Sequence, residues 1–223
     1  MAPLISFLIP TMRERSQKFK SLTDKIFLQI EEHNLQEEVE VLSIYDNRNI
    51  RLCDKRNMMQ KLCRGMYFLH LDDDDRIADD YCITVVNEIK ELIKKSPLEG
   101  GDTVVPDCIM YNQMAEVNGQ FFIVRSNPMS NMGLNKCGNI YQMNDGNIPV
   151  YERIPWQYHL WNKAKFSHIY RTDVDTNARE DQNWLKKVIL EYDLTNVDLD
   201  LHLTLFISLV YMVVFAMNIS HMN

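Results

Sequence analysis

Met66-Tyr67-Phe68-Leu69-His70-Leu71-Asp72-Asp73-Asp74-Asp75 is the stretch that decides how this chain is read: an apolar run that ends in four consecutive carboxylates. Tyr67, Leu69 and Leu71 alternate around Phe68, which predicts a strand covered on both faces. Four adjacent aspartates repel one another unless a cation or water relieves them. At the carboxyl end of a central strand, where open α/β sheets bind ligands, such a run suits a hard divalent ion. Mg2+ and Mn2+ take oxygen ligands and hold phosphate oxygens at the same time. The competing reading is a solvated acidic turn that caps the helix following at Asp79-Asp80-Tyr81.

Working outward, the pattern around this stretch is strand and helix in turn. Leu4 to Pro10 predicts a first strand, stopped by the proline. After the loop Thr11-Met12-Arg13-Glu14-Arg15-Ser16, Phe19, Leu22, Ile26, Phe27 and Ile30 recur at helical spacing. Glu38 to Tyr45 predicts a second strand, ending at Asp46. A helix from Asp54 to Arg64 turns Met58, Met59 and Leu62 inward, with Gly65 as its stop. Beyond the acidic run a helix covers Tyr81 to Lys95. Three strand–helix units predict a mostly parallel sheet with helices on both faces.

Pro97 to Asp102 ends this first half. The second half has short β-like runs such as Gln120 to Arg125 among loops rich in Asn, Gly and Met, then a helix over Arg179 to Tyr192 with Trp184, Leu185, Val188 and Ile189 inward. The expectation is one domain over 1–200, with halves 1–100 and 101–200. The tail from Leu201 to Ser220 has no Asp, Glu, Lys or Arg and is mostly apolar. It reads as a buried element closing the core or, at the lower limit of length, as a membrane anchor. No Lys or Arg follows Lys187 to flank such an anchor.

The 223 residues suffice for a core without covalent staples. With 24 basic and 31 acidic residues the net charge is −7, which argues against a general nucleic-acid surface. Five cysteines without a CxxC pair indicate neither a zinc site nor a disulfide framework. Reduced thiols and a start without a basic n-region point to the cytoplasm (of the host, for a viral chain), with membrane association through 201–220 as the alternative.

In this order the motifs resemble the family-2-type inverting glycosyltransferases of the GT-A fold. The first strand ends in Pro10-Thr11 with Arg13 behind it, similar to the family's P-T-x-x-R turn. The second strand ends in Asp46. Lys55-Arg56-Asn57 is similar to a lysine- and arginine-bearing helix, and Leu71 to Asp75 to the strand that ends in the DxD motif. Arg179-Glu180-Asp181-Gln182-Asn183-Trp184 resembles the Glu-Asp motif opening the acceptor-side helix, and Trp161-Asn162-Lys163 a W-N-K element. The likeness spans roughly residues 4 to 192. The tail has no fixed counterpart in the family, and the Q-x-x-R-W motif of processive members is absent, which implies single additions.

The resemblance implies a GT-A, Rossmann-like α/β fold with a small antiparallel acceptor-side part. It implies a nucleotide-diphosphate sugar donor, UDP-sugar favoured, and Mn2+ or Mg2+. Asp74 is the expected metal ligand, with Asp72 nearer the sugar and ribose, Asp73 helping through water and Asp75 structural. Pro10, Thr11, Arg13, Asp46, Lys55 and Arg56 are expected around base and phosphates. The competing reading of Asp46 is an Asx turn. Asp181 is the expected general base, with Glu180 as its rival. Trp156, His159 and Trp161 are expected to form an acceptor platform or else a core cluster, and His202 reads either as a late metal ligand or, as a lone His more often is, as none. The acceptor would be a glycan, lipid, protein or modified nucleobase. Two other classes compete: a nucleotidyltransferase, which would need a glycine-rich loop where Pro10 to Ser16 has none, and a non-catalytic sugar-binding or membrane-tethered domain.

Overall fold

The computed structural model describes residues 2–95, 105–117, 119–126, 143–145, 148–153, 157–172, 183–185, 187–188 and 213–216. Its central sheet has five strands: β1 (Ile5–Met12), β2 (Val39–Asp46), β3 (Tyr67–His70), β5 (Cys108–Ile109) and β10 (Leu160–Asn162). They lie in the order β2-β1-β3-β10-β5. β1 pairs in parallel with β2 and β3, and β10 runs antiparallel between β3 and β5. This is the mixed α/β, mostly parallel architecture expected from the strand–helix order.

Helix α1 (Ser16–Glu32) packs against α3 (Tyr81–Lys95). Both lie on the face of Phe7, whose ring centroid is 5.8 Å from that of Tyr81. Helix α2 (Leu52–Leu62) packs on β1 and β2. The chain leaving α2 meets the opposite face, where the Gly65 amide donates to Ser6 Oγ at 2.8 Å. A Cβ at Gly65 would stand 2.7 Å from the Ile5 carbonyl carbon, so the glycine serves close backbone approach rather than the helix stop.

Three expectations change. First, β1 does not stop at Pro10 but runs to Met12 along β2. Leu4 and Leu8 turn their carbonyls to β3, accepting from the Tyr67 and Leu71 amides. Pro10 has the same parity, and β3 has ended by then, so its missing N–H interrupts no ladder. Second, in α1 Leu22, Ile26 and Ile30 are buried, whereas Phe27, one position off that stripe, is exposed. Third, α2 buries Cys53, Lys55, Arg56, Met59 and Gln60, and leaves Met58 and Leu62 exposed. Its inward face is polar because it lies over strand ends and carbonyls that need donors.

The second sheet has six strands, in the order β4-β11-β6-β7-β9-β8. They are β4 (Arg76–Ile77), β6 (Gln113–Val117), β7 (Gln120–Ser126), β8 (Met143–Asp145), β9 (Ile148–Arg153) and β11 (Val213–Ala216). It is mixed rather than purely antiparallel, since β11 pairs with β6, and β7 with β9, in parallel. β11 lies within the apolar tail. Among the described residues no helix is long and apolar enough to cross a membrane. Residues 183–185 and 187–188 are helical, with Trp184, Leu185 and Val188 buried as the periodicity predicts.

Candidate active site

The parallel strands β1, β2 and β3 end on the same side of the sheet at Met12, Asp46 and His70. The acidic run follows β3 directly, and side chains lace the three ends together. Lys55, buried on α2, pairs with Asp46 and donates to the Thr11 carbonyl at 2.6 Å. The Thr11 hydroxyl donates to Asp73 Oδ2 at 2.7 Å. Asp46 also accepts the Ile50 amide at 2.7 Å, closing a turn. The Lys55 hydrogen bond is the main cause that holds the Asp46 carboxyl below its ordinary range.

Each aspartate of the run has its own partners. Asp72 faces Arg56 Nη2 at 2.5 Å and accepts from the Tyr158 hydroxyl at 2.7 Å. Burial resists its ionisation, yet Arg56, Tyr158 and Arg15 together keep its carboxyl low. Asp73, 2% exposed, meets Arg15 Nε at 2.8 Å. Burial outweighs its hydrogen bond from Thr11 and the Arg15 charge, so its carboxyl is raised. Asp74, 27% exposed, meets Arg15 Nη2 at 2.5 Å and Lys18 Nζ at 3.5 Å.

Asp75 folds back to accept the Asp72 amide at 2.7 Å, so it closes the acidic turn instead of capping α3. Burial, then repulsion from Asp72, pushes its carboxyl well above the ordinary 3.8. A raised carboxyl costs stability once the unfolded chain ionises, from about pH 4 upward, and most above the folded value. Asp75→Asn retains an oxygen for the Asp72 amide without the charge. It is expected to raise stability by about 1 kcal/mol at pH 8 and to make no difference near pH 3. Urea denaturation at both pH values checks this, and a loss at pH 8 would show that the charge itself is needed.

A second layer supports the site from below. Arg171, buried, lies over the Trp184 ring at 4.5 Å and donates to Gln60 Oε1 at 3.1 Å and His70 Nε2 at 3.0 Å. Burial and the charges of Arg171 and Arg56 keep His70 neutral, with its proton on Nδ1. Asn57 exchanges two hydrogen bonds with the Arg171 backbone, at 2.7 and 2.8 Å, and fixes where the chain leaves towards residue 173.

The structure thus brings together Thr11, Asp46, Lys55, Arg56, Asp72, Asp73 and Asp74, with Pro10 buried in β1 beside them. Arg13 is exposed and makes no ion pair among the described residues; Arg15, two positions on, takes that place. His159 and Trp161 are not an open platform. His159 is buried against Ser126 Oγ at 2.5 Å, and Trp161 stacks edge-on with Phe166 and Trp184, each at 5.1 Å, in the core. Asn162 caps the short helix α4 (Lys163–Phe166), which accounts locally for the W-N-K element. Trp156, Glu180, Asp181 and His202 lie outside the described residues. Arg15, Lys18, Tyr158 and Arg171 belong to no motif in the sequence; an Arg two residues past the expected one is the single signal it offers.

The carboxylates fit a hard divalent ion in kind, being all-oxygen donors, two of which a guanidinium already bridges. Among the described residues no three such groups converge on one point as they stand. Asp74 and Asp72, the more open of the four, would hold the ion.

No protein-family model matches the chain, and no curated protein matches it in sequence. Among solved structures it is similar to S. aureus TarS 1-349 in complex with UDP-GlcNAc, with a TM-score of 0.54 and 16% identity over 96% of this chain and 58% of that one. The same protein in complex with UDP gives 0.54 and 16%, over 96% of this chain and 61% of that one. The chain therefore spans about three-fifths of the TarS length compared. The likeness shows the fold: a mixed α/β architecture with a mostly parallel central sheet and flanking helices.

Proposed function

We propose that this chain is a glycosyltransferase that takes a nucleotide-diphosphate sugar, UDP-sugar favoured, at the carboxyl ends of β1, β2 and β3, and moves the sugar to an acceptor hydroxyl with inversion. The observation that carries the reading is the acidic run at the tip of β3, held by Arg56, Thr11 and Arg15. It stands at the ligand crevice of a fold that it shares with a protein crystallised with UDP-GlcNAc and UDP.

In this reading Arg56 and Tyr158 orient Asp72 so that its carboxylate receives hydroxyls of the donor sugar or ribose. Thr11 and Pro10 shape the loop under the base, while Lys55 keeps the ends of β1 and β2 in register around it. Arg13 is the solvent-side candidate for phosphate or base. Asp74 and Asp72 would hold Mn2+ or Mg2+, which would supply Lewis-acid neutralisation of the diphosphate leaving group. Asp181, or Glu180, takes the acceptor proton as the new C–O bond forms. The bond from the anomeric carbon to the diphosphate oxygen breaks, and its electron pair leaves with the nucleotide diphosphate. Trp156 is the aromatic candidate on the acceptor side. The acceptor class is a glycan, lipid, protein or modified nucleobase.

Isothermal calorimetry with UDP, and then GDP, each with and without Mn2+, tests the donor site. Metal-dependent binding at about micromolar Kd is expected for one nucleotide. Absence of binding to both, metal present, would leave the acidic run as a structural turn and favour a non-catalytic domain.

A further inference from the structure

Among the described residues two arginines face the acidic run, and they differ. Arg56 is buried, anchored on α2, and holds Asp72. Arg15 stands at the end of a single 3-10 turn (Arg13–Arg15), is 34% exposed, and its side chain touches the protein through Asp73 Oδ1 and Asp74 Oδ1. Its fork spans one oxygen from each of two neighbouring carboxylates. Their other oxygens are turned elsewhere, Asp73 Oδ2 to Thr11 and Asp74 Oδ2 to Lys18. A divalent ion held by Asp74 and Asp72 would compete with Arg15 for Asp74, because a guanidinium and a metal ion answer the same negative potential.

We propose that Arg15 is a built-in counter-cation, occupying Asp73 and Asp74 while the site is empty and exchanged for the divalent ion when the site loads. The inference rests on the donor-site reading above and adds a residue to it. Arg15 neutralises a cluster that would otherwise repel itself, and its exposure lets it swing out without unmaking the core. Asp74 is then released to the ion, and Asp73 keeps its bond from Thr11. Arg15 is thus a positioning residue that sets how tightly the empty protein takes a divalent ion. Lys18, 62% exposed and 3.5 Å from Asp74, adds little.

The test uses the full chain and Mn2+ alone, at pH 8 and without nucleotide, with free Mn2+ read by electron paramagnetic resonance. Arg15→Met, which retains the aliphatic stem, is expected to bind Mn2+ about tenfold tighter than the unaltered protein, since a competing ion pair has been removed. Arg15→Lys should fall between them, and Lys18→Met should stay within about twofold. Equal or weaker binding by a folded Arg15→Met protein, or no Mn2+ binding by either protein, overturns the exchange. UDP calorimetry separates this from the donor reading. Tighter Mn2+ binding without any UDP binding leaves Arg15 as counter-cation and sinks the donor site. UDP binding with unchanged Mn2+ affinity does the reverse.

Discussion

Asp74→Asn is expected to lower sugar-transfer turnover by at least about a hundredfold, the scale at which losing one preorganised electrostatic group acts on a transition state. Asp74, 27% exposed, faces the cationic side chains of Arg15 and Lys18. Its amide would retain the size and one oxygen, but not the charge that holds an ion against a diphosphate. The comparison that gives the result meaning is Asp181→Asn. That variant is expected to lose turnover while leaving UDP binding largely intact, because a general base acts on the acceptor and not on the donor. Single-turnover assays with UDP-sugars, with calorimetry on the same preparations, check both. Full activity in the two variants would remove these residues from the mechanism.

Arg56→Met is expected to destabilise the fold by about 2–3 kcal/mol at pH 7, somewhat less than breaking a fully buried pair costs, since Asp72 is still partly open to solvent. The methionine fills the space of the stem but leaves Asp72 with the Tyr158 hydroxyl and a more distant Arg15. The sign with pH is fixed. A carboxyl held low contributes stability above its unfolded value, near 3.8, and that contribution fades as pH falls through the folded value. The gap between Arg56→Met and the unaltered protein should therefore shrink on acidification below about pH 4. The double variant with Asp72→Asn should recover part of the loss, because no uncompensated charge remains. Denaturant midpoints at pH 7 and pH 3.5 measure the effect. Identical midpoints at pH 7 would mean that the pair contributes nothing.

The order of elements and the acidic strand tip were legible because both are local. A strand of alternating apolar residues, a helical stripe and a run of four aspartates declare themselves within about ten neighbours, so the wound α/β sheet followed from periodicity. The mostly buried strand over Tyr67–His70 and the helix at Tyr81–Lys95 needed no further information. The same locality misled at α2. Met58 and Leu62 were read inward by hydrophobicity, but what lies beneath that helix is a set of strand ends and carbonyls, and Lys55, Arg56 and Gln60 face them.

Composition and spacing thus determined the fold class and the presence of a cluster of carboxylates at the end of a central strand. Tertiary structure alone decided which donor faces which carboxylate. Those pairings join positions far apart in the chain, Thr11 with Asp73 at a separation of 62 and Tyr158 with Asp72 at 86. No local pattern encodes them. It also decided that Trp161 and His159 belong to the core, since an aromatic side chain looks the same in sequence whether its face meets a ligand or its edge meets Phe166. Charge pairing and burial depend on what the fold places opposite a residue, and that is settled only when distant strands and helices have packed.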